Sequence, residues 1–208
     1  MNARLIVSRD CDPQVIARAV QILRGGGVIA FATDTLYGLG ADPRNAQAIE
    51  KLFTAKGRGE RMPIPLIAAD VEQARETGTF GEIELRLARE FWPGPLTIVV
   101  PARSGLAARV LGGGTTVGIR VPSHDVARAL CAGIGRCVTA TSANVTGYPA
   151  PVSADEIDPA LMTRIDAVLD SGPAPGGPPS TIVTVKSGRP ELLRAGAVAW
   201  DRVIRSLQ

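Results

Sequence analysis

Short apolar runs alternating with amphipathic stretches constrain this chain more than any other feature. Residues 13–23 carry apolar side chains at helical spacing, Gly25-Gly26-Gly27 stops them, and Val28-Ile29-Ala30-Phe31-Ala32-Thr33 follows, apolar up to its last residue. Such a run reads as a strand buried on both faces, as in sheets covered by helices. The pattern recurs, predicting helices over 46–53, 71–75, 82–91, 125–132 and 154–165. Strands are expected over 64–68, 96–100, 117–121, 137–141, 168–170, 181–185 and 191–193. Alternation of this kind predicts an α/β domain, without giving strand order or direction. The Pro/Gly-rich stretch 173–179 is short enough to be a loop. A length of 208 residues, 45% hydrophobic, suits a single domain over 1–208 with a sizeable core.

Composition narrows the functional classes. Charge interrupts the N-terminal residues before a signal-type apolar stretch develops, and no later run is long enough to span a bilayer, so a cytoplasmic location is expected. Cys11, Cys131 and Cys137 are odd in number and lack C-x-x-C spacing, which argues for inert thiols rather than a disulfide framework or a zinc site. Asn144-Val145-Thr146 matches a glycosylation acceptor, a reading that falls with the secretory premise. A net charge of +3 permits an anionic ligand without demanding nucleic acid, and aromatics at 4% leave few stacking platforms for single strands.

Polar residues gather at the ends of the expected strands, where α/β sheets commonly hold ligands. Thr33-Asp34-Thr35 follows one strand, Thr115-Thr116 precede the strand ending in Arg120, and Thr139 to Asn144 follow Cys137-Val138. Ser180-Thr181 open another, and Arg194 closes the next. Each alone equally suits a cap or a turn. In Lys56-Gly57-Arg58, two cations flank a glycine and can face one anion, the arginine as a bidentate fork; they also suit a helix C-terminus. No P-loop, G-x-G-x-x-G or G-x-S-x-G motif is present. His124, the single histidine, sits at an expected helix start, which makes a Ser-His-Asp hydrolase unattractive. Asp34 is one of several aspartates near element ends, with no metal partner in the pattern. Trp92-Pro93-Gly94-Pro95 reads as a rigid turn.

In order, Thr33-Asp34-Thr35-Leu36-Tyr37-Gly38-Leu39-Gly40, Lys56-Gly57-Arg58, Phe91 to Thr97, Gly118 to Pro122, Thr141-Ser142-Ala143-Asn144, Pro179 to Val183 and Leu193 to Gly196 resemble the YrdC-type family of L-threonylcarbamoyladenylate synthases. The resemblance runs from about Gly25 to Gly196, with the K-x-R and S-x-N pair as its most specific element. It implies a YrdC/RibB-like twisted mixed sheet with flanking helices around a large, positively lined cavity. It also implies formation of threonylcarbamoyl-AMP and pyrophosphate from L-threonine, bicarbonate and ATP. The product would feed a threonylcarbamoyl-transferase complex that modifies the tRNA adenosine next to the anticodon. By the same resemblance, Lys56 and Arg58 are the catalytic residues, Thr35, Arg120 and Ser180 bind threonine, and Arg58, Thr116, Ser142, Asn144 and Arg194 bind ATP. Thr33, Thr139 and Thr141 are further candidates. Mg2+ is expected with the triphosphate, without a protein metal site, and tRNA is a possible direct ligand. The alternative is a YrdC-type protein that binds RNA or a nucleotide without synthase activity. Gly59 replaces a frequent proline, while Met62 and Ile67 stand where some members carry polar contact residues. The chain looks like the short, single-domain form.

Overall fold

Strand β2 (Ile29–Ala32) is inaccessible to solvent throughout, and its alternation explains the apolar run. Ile29 and Phe31 pack into one hydrophobic cluster, Ala30 and Ala32 into another, so β2 separates two cores. The computed structural model describes residues 3–6, 12–57, 59 and 61–208. Around β2, one five-stranded sheet runs in the order β1 (Ala3–Ile6), β9 (Ala167–Asp170), β2, β3 (Tyr37–Gly40), β8 (Thr141–Ser142). A six-stranded sheet runs β11 (Arg189–Arg194), β10 (Thr181–Lys186), β5 (Leu96–Pro101), β6 (Thr116–Arg120), β4 (Leu66–Ile67), β7 (Val138–Thr139). Both sheets mix parallel and antiparallel pairs: β2 is parallel to β9 but antiparallel to β3, and β5 is parallel to β10 but antiparallel to β6.

Helices α1 (Pro13–Arg24) and α5 (Asp125–Ile134) close one core, contributing Ile16, Val20, Leu23, Val126 and Leu130 against Ile29, Phe31 and Leu169. Burying side chains of this size stabilises by roughly 1.5–3 kcal/mol each before entropy is counted. Helices α2 (Ala46–Lys56), α3 (Val71–Thr77), α4 (Glu82–Phe91), α6 (Pro159–Met162) and α7 (Trp200–Arg205) complete the domain. Aspartates do the local work expected of them at α1 and α3, where Asp12 accepts from Gln14 N and Asp70 from Gln73 N.

Two expectations need correction. The helix over 154–165 breaks into a 3-10 turn (Ala154–Glu156) and α6, because Asp158 caps a new start with Pro159 in its first turn. The strand over 137–141 divides at Ala140, with β7 joining one sheet and β8 the other. Strand β3 escaped the sequence reading because Gly38 and Gly40 hide its pattern. Gly40 is required there: a Cβ would stand 2.7 Å from Phe31 Cε1.

Candidate active site

The turn from β2 to β3 is built by Thr33. Its hydroxyl donates to Leu36 O at 2.8 Å and accepts from the Thr35 and Leu36 amides at 3.3 Å each. The buried Thr35 hydroxyl is thereby held 3.2 Å from that of Thr33. Within this turn Asp34 turns to the neighbouring sheet. It pairs with Arg120 Nη1, and its second oxygen accepts from Ser123 N at 3.1 Å and Ser123 Oγ at 3.3 Å. Side-chain exposure is 6% for Asp34 and 8% for Arg120, so this ion pair is largely screened from water.

On the six-stranded sheet, Ser180 opens towards Arg194. The guanidinium donates to Ser180 O at 2.6 Å and Ser180 Oγ at 3.1 Å, while Ser180 Oγ lies 2.9 Å from Thr97 Oγ1. Gly196 packs directly on this backbone: a Cβ would stand 2.2 Å from Pro179 O. The Trp92–Pro95 turn, with a cis bond between Trp92 and Pro93, ties the segments together. Gly94 N donates to Val121 O at 2.8 Å, and Pro95 O accepts from Thr181 N at 3.0 Å.

The S-x-N segment is fastened by Lys56, the last residue of α2, which is 2% exposed. Its Nζ lies 2.5 Å from Ser142 O, 2.8 Å from Asn144 Oδ1, 3.0 Å from Asn144 O and 3.2 Å from Ser142 Oγ. Gly57 then ends α2 in the left-handed region at φ 62°, and Thr146 N returns a hydrogen bond to Lys56 O at 3.0 Å.

These segments surround a cleft of about 430 Å³ lined by residues of both sheets, among them Thr33, Thr35, Arg120, Thr141, Ser142, Ser180 and Arg194. Burial, and then the charge of Arg120, push the Arg194 guanidinium below its ordinary pKa. Among the described residues no carboxylate pairs with Arg194, whereas Arg120 has Asp34. The cleft therefore holds two nearby cations with one acid behind them, an arrangement that attracts an anion.

Of the residues expected from sequence, Thr35, Arg120, Ser142, Ser180 and Arg194 line this cleft, and Lys56 and Asn144 meet at its S-x-N wall. Asn144 also borders an adjoining hollow with Tyr148 and Ala150. Thr116 lies elsewhere: it is exposed at the opposite end of β6 from Arg120, paired with Pro101 and outside the cleft lining. Arg58 lies outside the described residues. Thr139 serves the backbone instead, accepting from Ala41 N at 2.8 Å and donating to Leu39 O at 3.2 Å, fully buried. Met62 lines the cleft, but Ile67 is wholly buried among α5 side chains. His124 forms the first cap of α5 without a side-chain capping bond, its Nδ1 buried and unpartnered. Burial lowers its pKa, against the pull of Asp34 and Asp125. Burial also raises the thiols of Cys131 and Cys137, the latter to about 11, which favours the protonated form; Cys11 lies outside the described residues. Among the described residues no cluster of three His, Cys, Asp or Glu side chains can hold a metal, and no helix is long and apolar enough to cross a membrane.

Asp34 and Thr97, which contact Arg120 and Ser180, were not among the residues expected to form the site. Asp34 carried one signal: an acid between two threonines at a strand end, with no helix to cap.

Comparison with known proteins places the chain in a family. The family model Sua5_yciO_yrdC, described as "Telomere recombination", matches residues 21–196. The threonylcarbamoyl-AMP synthase of Bacillus subtilis (strain 168) is 39% identical over 194 residues, spanning 92% of this chain and 56% of that protein. That of Halorhodospira halophila (strain DSM 244 / SL1) is 40% identical over 165 residues, 77% of this chain and 86% of its own length. The crystal structure of P. abyssi Sua5 complexed with L-threonine superimposes with a TM-score of 0.94 at 32% identity, covering 99% of this chain and 61% of that one. The chain thus spans little more than half the length of the longer relatives. On the matched residues and the shared fold, it belongs to the Sua5/YciO/YrdC family.

Proposed function

We propose that this protein is an L-threonylcarbamoyladenylate synthase, forming threonylcarbamoyl-AMP and pyrophosphate from L-threonine, bicarbonate and ATP. The observation that carries the reading is a hydroxyl-lined cleft with two arginines in its lining, the buried Arg120 paired with Asp34 and Arg194 held by Ser180. The matching relatives named threonylcarbamoyl-AMP synthase support it.

The chemistry joins anions. Threonine's amine adds to bicarbonate-derived carbon dioxide, and a carbamate oxygen attacks the α-phosphate of ATP as pyrophosphate departs. The protein's part is to hold the reactants in line and to offset their charge, which needs no protein nucleophile. In this assignment Arg120 receives the threonine carboxylate, with the Thr35 and Ser180 hydroxyls beside it. Arg194, Ser142 and Asn144 lie along the nucleotide. Lys56 holds the Ser142–Asn144 wall that the phosphates meet, and Arg58 completes the cationic set. Thr116 serves only if the triphosphate extends along β6 beyond the cleft. The cleft lining offers hydroxyls and no carboxylate, so any magnesium brought by the nucleotide would be held by phosphate oxygens and water and would offset phosphate charge. The product passes to a threonylcarbamoyl-transferase complex acting on tRNA in the cytoplasm.

Incubating pure protein with ATP, bicarbonate and labelled threonine tests the reading. Pyrophosphate release that requires both threonine and bicarbonate is expected. RNA binding without threonine-dependent turnover would instead establish the binding-protein alternative.

A further inference from the structure

Resting on that synthase reading, we infer that Asp34 is a positioning residue that fixes the Arg120 guanidinium as the receptor for the substrate carboxylate. Asp34 is not among the residues lining the cleft, whereas Arg120 is. The carboxylate therefore engages Nη1 of Arg120 from outside the cleft lining to which Arg120 belongs. Its other oxygen is fixed by Ser123 N and Oγ. One carboxylate thus joins the β2–β3 turn, the end of β6 and the entry to α5. The Thr35 hydroxyl is in the same turn, so Asp34 also sets the spacing between Thr35 and Arg120.

Arg194 provides the contrast. Its guanidinium is steadied by the neutral Ser180 carbonyl and hydroxyl, leaving its charge to the ligand. Arg120 gives part of its charge to Asp34 and gains a defined direction, which suits two-point recognition of a planar carboxylate. Asp34 has two opposing effects on threonine. Its negative charge weakens the attraction of the cleft for an anion, and its anchoring improves the geometry. Displacement of a binding group by about 1 Å costs up to about 100-fold, so geometry should prevail.

The test uses Asp34→Ala, Arg120→Ala and the double variant, with steady-state pyrophosphate release over varied threonine and varied ATP. Asp34→Ala should raise the threonine KM about 10- to 100-fold and leave the ATP KM within about twofold. In the double variant, Asp34→Ala should add nothing to Arg120→Ala, the signature of one residue acting through the other. Should Asp34→Ala not fold, Asp34→Glu keeps the charge and moves the carboxylate, and should raise the threonine KM likewise. An unchanged threonine KM in a folded variant, or additive effects, would overturn the inference. A lowered threonine KM would overturn it as well, revealing Asp34 as a competitor for Arg120. If the unaltered protein shows no threonine-dependent turnover, it is the synthase reading that fails.

Discussion

Replacing Lys56 with methionine keeps most of its volume and removes only the ammonium. Four oxygens lie within 3.2 Å of Nζ, two of them backbone carbonyls of Ser142 and Asn144. An ammonium has three protons, so three charge-assisted bonds are at stake, each contributing about 1.5 kcal/mol at the low end suited to acceptors that water can partly reach. The expected loss is about 4.5 kcal/mol. For a chain of this length each kcal/mol moves Tm by about 2–4 °C, so the melting temperature followed by circular dichroism should fall by about 9–18 °C. The released Ser142–Asn144 segment should also raise the ATP KM in the pyrophosphate assay. Desolvation works the other way, since a buried ammonium is costly and its removal can stabilise. A Tm that holds or rises would show that desolvation wins, and that Lys56 does not fasten this wall.

Other outcomes can be checked alongside. Arg194→Ala should raise the ATP KM by about tenfold or more and steepen no salt dependence, since it removes the cation without a paired acid; an unaltered ATP KM would remove Arg194 from the nucleotide path. Thr139→Val should cost about 2 kcal/mol by leaving the Ala41 amide unpaired, with both substrate KM values unchanged. For His124, the folded pKa lies below the ordinary 6.5, so the unfolded chain binds the proton first. Its contribution is full above pH 6.5 and is lost as pH falls from there to the folded pKa, and urea midpoints across that window should flatten in His124→Gln.

The legible parts of this molecule were those governed by local periodicity. The run ending at Thr33 declared β2 because both its faces are buried, and α2 was expected up to its last turn. The grouping of Lys56 with Ser142 and Asn144 followed from the family resemblance, and the structure brings the three into contact. What stayed hidden depends on tertiary placement. Asp34 and Arg120 meet across 86 positions, and nothing in either local sequence specifies the other. Thr139 and Thr141 are two residues apart in one hydroxyl-rich stretch, yet the division at Ala140 sends them to different sheets: one is consumed by backbone amides, the other reaches the cleft. Thr116 resembled its neighbours in composition, but β6 carries it to the end away from Arg120.

Arg194 is the final residue of β11, an edge strand hydrogen-bonded on one side only and largely exposed along its length. Edge segments with few buried contacts open with less free energy than the whole domain. Each such opening would withdraw a guanidinium from the cleft, so a nucleotide held by Arg194 would oppose the opening and bind the closed form preferentially. Amide hydrogen exchange along 189–194 should therefore slow on addition of ATP more than exchange in β2, making the outermost strand of the sheet the reporter of occupancy within it.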